Sequence, residues 1–217
     1  MYEAKSKEIV LRKVREALAK SAPFVPPTPD SGRSVYQPLN EDLSIEFAHN
    51  FLNTGGTFIY CESEESFYDQ LFEFKRENQI GNLYVWESLL KKQLYGAGIN
   101  FIGEEKDFVK KAEAGLTTCE ALLARTGSIL VSSANSSGRR LSIYPEKHLV
   151  VAKASQLVPD IKDGLTLLRQ KYAPKLPSMI SMVSGPSRTA DIEKTLVLGA
   201  HGPKQLVLFL IDDLTDH

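Results

Sequence analysis

The chain has 217 residues, of which 42% are hydrophobic and 24% charged, and 26 Lys plus Arg against 27 Asp plus Glu give a formal net charge of −1. That profile fits a soluble globular protein with a sizeable core, excludes collagen-like and disordered chains, and lacks the basic footprint of a nucleic-acid binder. Two cysteines, Cys61 and Cys119, lie far apart, so the chain cannot supply the four thiolates of an iron–sulfur cluster or a four-cysteine zinc site.

The first 20 residues read as a helix from Tyr2 to Lys20, with Val10, Val14 and Ala17 on one side and Leu11 and Leu18 beside them. Glu3, Glu8 and Glu16 make it too acidic for a mitochondrial presequence, and it is expected to dock on its own core or on a neighbouring subunit, the alternative being a helix on a membrane surface. Residues 21–38 hold Pro23, Pro26, Pro27, Pro29 and Pro38, five of the 11 prolines. Proline fixes φ and removes a donor, so this stretch is an extended arm. Residues 1–38 are therefore expected to form an appendage, a helix plus a proline-rich arm, and residues 39–217 the domain proper.

From Glu41 helical and strand patterns alternate. Helices are expected at Glu41–Asn53, Glu64–Gln79 and Glu87–Tyr95, and strands at Thr57–Cys61, Asn82–Trp86 and Asn100–Ile102. Such alternation predicts an α/β fold with a mostly parallel sheet flanked by helices, because parallel strands need a crossover. A helix is then predicted over Thr118–Ala124. Strands at Ser128–Ser133 and Leu141–Tyr144 follow, joined by the Asn135–Gly138 turn as an inserted β-hairpin, with another strand at His148–Ala152. The last third predicts a helix at Ser155–Lys171, a strand at Met179–Val183, a helix at Ala190–Leu198 and a strand at Gln205–Ile211. No apolar run reaches the roughly 18 residues of a membrane span.

The segment Ser184-Gly185-Pro186-Ser187-Arg188-Thr189-Ala190-Asp191 carries the most chemistry. It lies between an expected strand and an expected helix, where open α/β sheets bind ligands. Gly185 lets backbone approach a ligand, Ser187 and Thr189 both suit an N-cap, and Arg188 offers a planar fork of donors for a carboxylate or phosphate. The expected helix N-terminus favours an anion there. The alternative is a capped helix whose Arg188 is tied to a surface carboxylate.

Gly199 and Pro203 frame His201, which either bonds the last carbonyls of the expected helix or contacts a ligand as an acid or base. Arg139 and Arg140 either screen an anion or lie in a solvated turn. Glu113 and Glu120 are the carboxylates available as nucleophile or base. His49, His148 and His217 are not spaced with carboxylates as metal ligands, so no metal site is expected.

Gly115-Leu116-Thr117, Thr126-Gly127-Ser128, Arg140–Pro145, His148–Val151, Ser184–Glu193 and Gly199–Pro203 together resemble the LUD-domain family, from about Glu41 to the C-terminus. The resemblance implies a fold similar to the glucosamine-phosphate isomerase, ribose-phosphate isomerase and CoA-transferase group. It also implies a cytoplasmic, non-redox accessory role beside iron–sulfur oxidoreductase subunits in a system that oxidises L-lactate to pyruvate. By the same resemblance Gly127, Ser128, Arg140, Gly185, Ser187, Arg188, Thr189, Asp191 and His201 are candidate residues for a small anionic ligand, and the cofactor stays open. Arg125 stands where the family commonly has Glu, and a cation there favours an anionic group. Two other readings remain at this stage: a stand-alone transferase or isomerase acting on a CoA thioester or sugar phosphate, and a structural assembly protein.

Overall fold

A computed structural model describes residues 2–19, 39, 42–134, 140–190, 196–199 and 201–214, with backbone only for 2–6, 17, 18, 189, 190 and 196–198. The chain divides into two units, Met1–Pro38 and Leu39–His217. The first contains helix α1 (Tyr2–Ala19), whose described apolar side chains, Ile9, Val10, Leu11 and Val14, are exposed. The predicted proline arm lies outside the described residues. Among the described residues no helix is long and apolar enough to cross a membrane.

The second unit is built on a parallel five-stranded sheet. It contains β1 (Thr57–Cys61), β2 (Leu83–Tyr84), β3 (Ala114–Thr118), β6 (Lys147–Lys153) and β11 (Gln205–Ile211), in the order β1-β11-β6-β3-β2. Alternation along these strands gives the sheet two apolar faces, as a sheet buried on both sides requires. Leu116, Leu149, Val151, Val207 and Phe209 face one way, where Phe67, Leu71 and Phe74 of α3 (Glu64–Glu77) and Leu90 and Leu94 of α4 (Ser88–Gly96) cover them. Ser63 caps α3 by accepting a hydrogen bond from the Ser66 N–H.

Val150, Ala152, Leu206, Leu208 and Leu210 face the other way, towards Phe47 and Phe51 of α2 (Leu43–Asn53) and towards a second sheet. That sheet has β4 (Ala121–Leu123), β5 (Ser128–Ser132), β7 (Leu157–Val158) and β8 (Ile180–Val183), in the order β7-β4-β5-β8. Its outer side packs on α6 (Ile161–Tyr172) through Leu123, Leu130 and Leu168. A short helix, α5 (Phe108–Lys111), precedes β3. Residues 188–190 and 196–198 form a small antiparallel pair, β9 and β10.

Five expectations need correction. Asn100–Ile102 is not a strand: only Ile102 makes an isolated bridge, to Tyr84. Thr118–Ala124 is not a helix: it holds the end of β3, a turn at Cys119–Glu120, and β4. The hairpin in this region joins β4 to β5 around residues 124–127, while Leu141–Tyr144 is a turn and not a strand. Within Ser155–Lys171 the helix starts only at Ile161, because β7 intervenes. No helix spans Ala190–Leu198, whose described ends are strands; residues 191–195 lie outside the description.

Candidate functional site

Parallel strands end on one edge of a sheet, and ligands of open α/β sheets bind outside that carboxyl edge. Here a cavity of about 320 Å³ lies against the ends of β3, β6 and β11. Thr118, Lys153 and Ile211, the last residues of those strands, line it. Its apolar wall comes from Phe67 on α3 and Leu89 and Leu90 on α4.

The polar wall is made by the links that follow the strands. Lys153 faces outward as β6 ends, and its Nζ lies 3.2 Å from Glu64 Oε1 at the start of α3. Both side chains are about half exposed, at 49% and 43%, so the pair is weak and readily exchanged for another partner. Gln156 braces this turn: its Oε1 accepts from the Lys153 N–H at 2.8 Å and its Nε2 donates to the Cys119 carbonyl at 2.8 Å. Thr118 donates to the two Glu87 carboxylate oxygens, from its N–H at 2.9 Å and from Oγ1 at 2.6 Å.

Lys171, on the last turn of α6, brings a second ammonium to the cavity and donates to Glu120 Oε2 at 2.9 Å. The Glu120 side chain is 1% exposed. Ser132 Oγ and the Tyr172 hydroxyl donate to its Oε1 at 2.6 and 2.9 Å. Burial pushes this carboxyl up, but hydrogen bonds from Ser132, Lys171 and Tyr172 outweigh that cost and hold it below the usual carboxylate range. Glu120 is therefore a charged brace behind the cavity, tying the β4 turn, β5 and α6 together. Cys119, also on the wall, is a buried thiol whose pKa burial raises, which keeps it protonated and unreactive.

Most residues singled out from the sequence sit elsewhere. Ser187 N–H donates to the Pro203 carbonyl at 2.9 Å, two residues before β11 begins, which puts the loop at the amino edge of the main sheet. Arg188 donates to the Thr54 carbonyl at the end of α2, at 2.7 Å. Gly185 has φ +79°, and a Cβ there would stand 2.3 Å from the same carbonyl oxygen. Ser128 Oγ and Ser184 Oγ are 2.7 Å apart, and a Cβ on Gly127 would meet the Phe51 nitrogen at 2.2 Å. Gly127, Gly185 and Arg188 thus converge on α2 and its C-terminal cap, and Ser128 is tied to Ser184. Residues 188–190 are strand and not the first turn of a helix, so among the described residues 184–190 form no helix N-terminus.

Thr189 lies in β9, Asp191 falls outside the described residues, and His201 is exposed next to Gly202, which packs against Ser187. Arg140 stacks over Trp86 and Phe108, 5.9 and 5.5 Å from the ring centroids, and pairs with Glu105 at 2.9 Å. Arg125 pairs with Asp160 at 2.8 Å, the same residue that caps α6. Glu113 accepts the N–H groups of Gly81 and Asn82 at 2.7 and 2.9 Å ahead of β2, so it is a backbone anchor. Sequence reasoning missed Lys153, Gln156 and Lys171. The available signal was position: applying the strand-end rule to every strand, and not to Val183 alone, selects Lys153.

The LUD-domain family model matches residues 45–211. Lactate utilization protein C of Bacillus subtilis is 36% identical over 116 residues, 51% of this chain and 48% of that protein. Its counterpart in Anoxybacillus flavithermus is 27% identical over 159 residues, 73% of this chain and 64% of the relative. The uncharacterized protein YkgG of Escherichia coli is 37% identical over 106 residues, 48% of this chain and 46% of that one. The chain thus spans about half the length of most of the curated relatives it matches. A crystal structure of a DUF162-family protein from Deinococcus radiodurans shares the fold, with TM-score 0.58 and 18% identity over 78% of this chain and 96% of that one. With the matched region covering both sheets and the cavity between α3, α4 and α6, the chain belongs to the LUD-domain family.

Proposed function

We propose that the chain acts in lactate utilisation as a cytoplasmic, non-redox component that binds a small organic anion at the carboxyl edge of its main sheet. The observation that carries this reading is the cavity into which Lys153 and Lys171 bring two ammonium groups. The relatives bearing the name lactate utilization protein C supply the metabolic context. Oxidation of L-lactate to pyruvate releases two electrons and two protons. In this reading the electrons go to iron–sulfur oxidoreductase partners, the role the family resemblance implies, and Cys61 and Cys119 of this chain are buried free thiols.

A thermal-shift screen of carboxylates, CoA and sugar phosphates tests the site. An anion at 100 times its dissociation constant stabilises by about 2.7 kcal/mol, which moves the midpoint by roughly 5–11 °C. Lys153→Met abolishes that shift and Arg188→Ala keeps it. The opposite pattern puts the ligand at the amino edge and overturns the assignment.

A further inference from the structure

The cavity is larger and more apolar than a three-carbon acid requires. At about 320 Å³ the cavity is many times the ~30 Å³ that one water molecule occupies in the liquid, which leaves room beyond a three-carbon acid. Opposite the polar wall of Glu64, Thr118, Lys153, Gln156 and Lys171, the other wall is largely carbon: Phe67, Leu90, Val151 and Ile211 are buried side chains of the main core that line the cavity. Leu89 is the exception. It lines the same cavity and is 69% exposed, a large apolar side chain at the rim that the fold leaves uncovered. Cations thus stand over the ends of β6 and α6, and an apolar trough runs towards the first turn of α4.

We infer that the ligand is an amphiphilic anion, a medium-chain monocarboxylate of about eight carbons. Its carboxylate displaces Glu64 from Lys153, and its hydrocarbon tail lies along Phe67 and Leu90 and covers Leu89. The exchange at Lys153 is cheap because the Lys153–Glu64 pair is half exposed. Lys171 is held by Glu120 and adds positive potential without giving up its partner. This assignment rests on the anion-binding reading of the cavity and specifies the body of the ligand.

The test is calorimetric titration of the full chain with L-lactate, hexanoate, octanoate and decanoate below their micellar concentrations. Each methylene that enters the cavity tightens binding about fourfold, equivalent to about 0.8 kcal/mol, so octanoate binds about 15-fold tighter than hexanoate. Decanoate, two methylenes beyond the proposed ligand, gains little more. Leu89→Ala reduces the gain per methylene, Lys153→Met weakens the whole series equally, and Glu64→Gln tightens it by freeing the ammonium. Equal affinities along the series, still lost in Lys153→Met, overturn the amphiphile and leave the anion reading standing. No binding by any of these acids, together with no thermal shift from any phosphate or CoA, overturns both.

Discussion

His148 is fully enclosed on β6, its Nε2 2.9 Å from Thr117 Oγ1, and its Nδ1 finds no hydrogen-bond partner among the described residues. Burial without an anion nearby pushes the imidazole down from 6.5 to about 4. The unfolded chain therefore takes up this proton at a higher pH than the folded one. The associated stability is intact above about pH 6.5 and is lost as the pH falls towards 4, by on the order of 3 kcal/mol in all. The melting temperature is expected to fall across that window, and His148→Gln is expected to flatten this part of the profile; a differential scanning series in pH measures both. Glu120 makes a second prediction at this scale. Glu120→Ala removes the acceptor of three hydrogen bonds from a buried position and costs about 3 kcal/mol, whereas Lys171→Met, on the exposed side of the same pair, costs under about 1 kcal/mol by urea titration. Residue types announced neither role. A histidine reads as a possible ligand and a glutamate as a possible base, and only their enclosure by other elements makes one an apolar-site imidazole and the other a brace.

At the scale of elements, α2 is held by contacts that look like a binding loop in the sequence. Gly127 has φ +56° and lies against the Asn50–Phe51 backbone, where no Cβ fits. Gly127→Ala is expected to destabilise by about 2–4 kcal/mol in chemical denaturation, combining left-handed strain with displacement of the helix. Arg188→Met, which removes one exposed charged donor from the helix end, is expected to cost about 1 kcal/mol and leave ligand affinity at the cavity unchanged. Most helices and strands of the first half were legible because their apolar periods differ: Phe67, Leu71 and Phe74 recur on one helical face, and Thr57–Cys61 is a short apolar run bounded by glycine, whereas of the expected strand Asn100–Ile102 only Ile102 makes a bridge. Two later segments were misread for a physical reason. In Thr118–Ala124 the apolar run Ala121–Ala124 is too short for its period to separate helix from strand, and at Cys119–Glu120 the Glu120 N–H bonds to the Leu130 carbonyl across the hairpin. Ala190–Leu198 is rich in good helix formers, yet its described ends pair with each other as strands, so tertiary pairing overrides weak local propensity.

For the whole molecule, the alternation of helix and strand was enough to foresee a mostly parallel sheet covered on both sides. The cavity was not foreseeable in the same way. Its wall draws on residues from Glu64 to Ile211, brought together by strand order, and strand order is a non-local property that no short motif encodes. All of that wall belongs to the second unit. A chain starting at Leu39 is therefore expected to fold with its cooperative unfolding transition intact and to bind anions with unchanged affinity, as paired melting and titration curves of the two lengths measure. The placement of β11 has a further consequence for synthesis on the ribosome. It lies between β1 and β6, pairing Thr57–Cys61 on one side and Lys147–Lys153 on the other. Until residues 205–211 emerge, β1 has no described partner in the sheet and β6 presents an open edge. The nascent domain thus carries two unfilled strand edges through almost its entire translation, and it joins its first strand to the rest only in one late, long-range step, an arrangement that slows folding and makes early termination a source of sticky fragments.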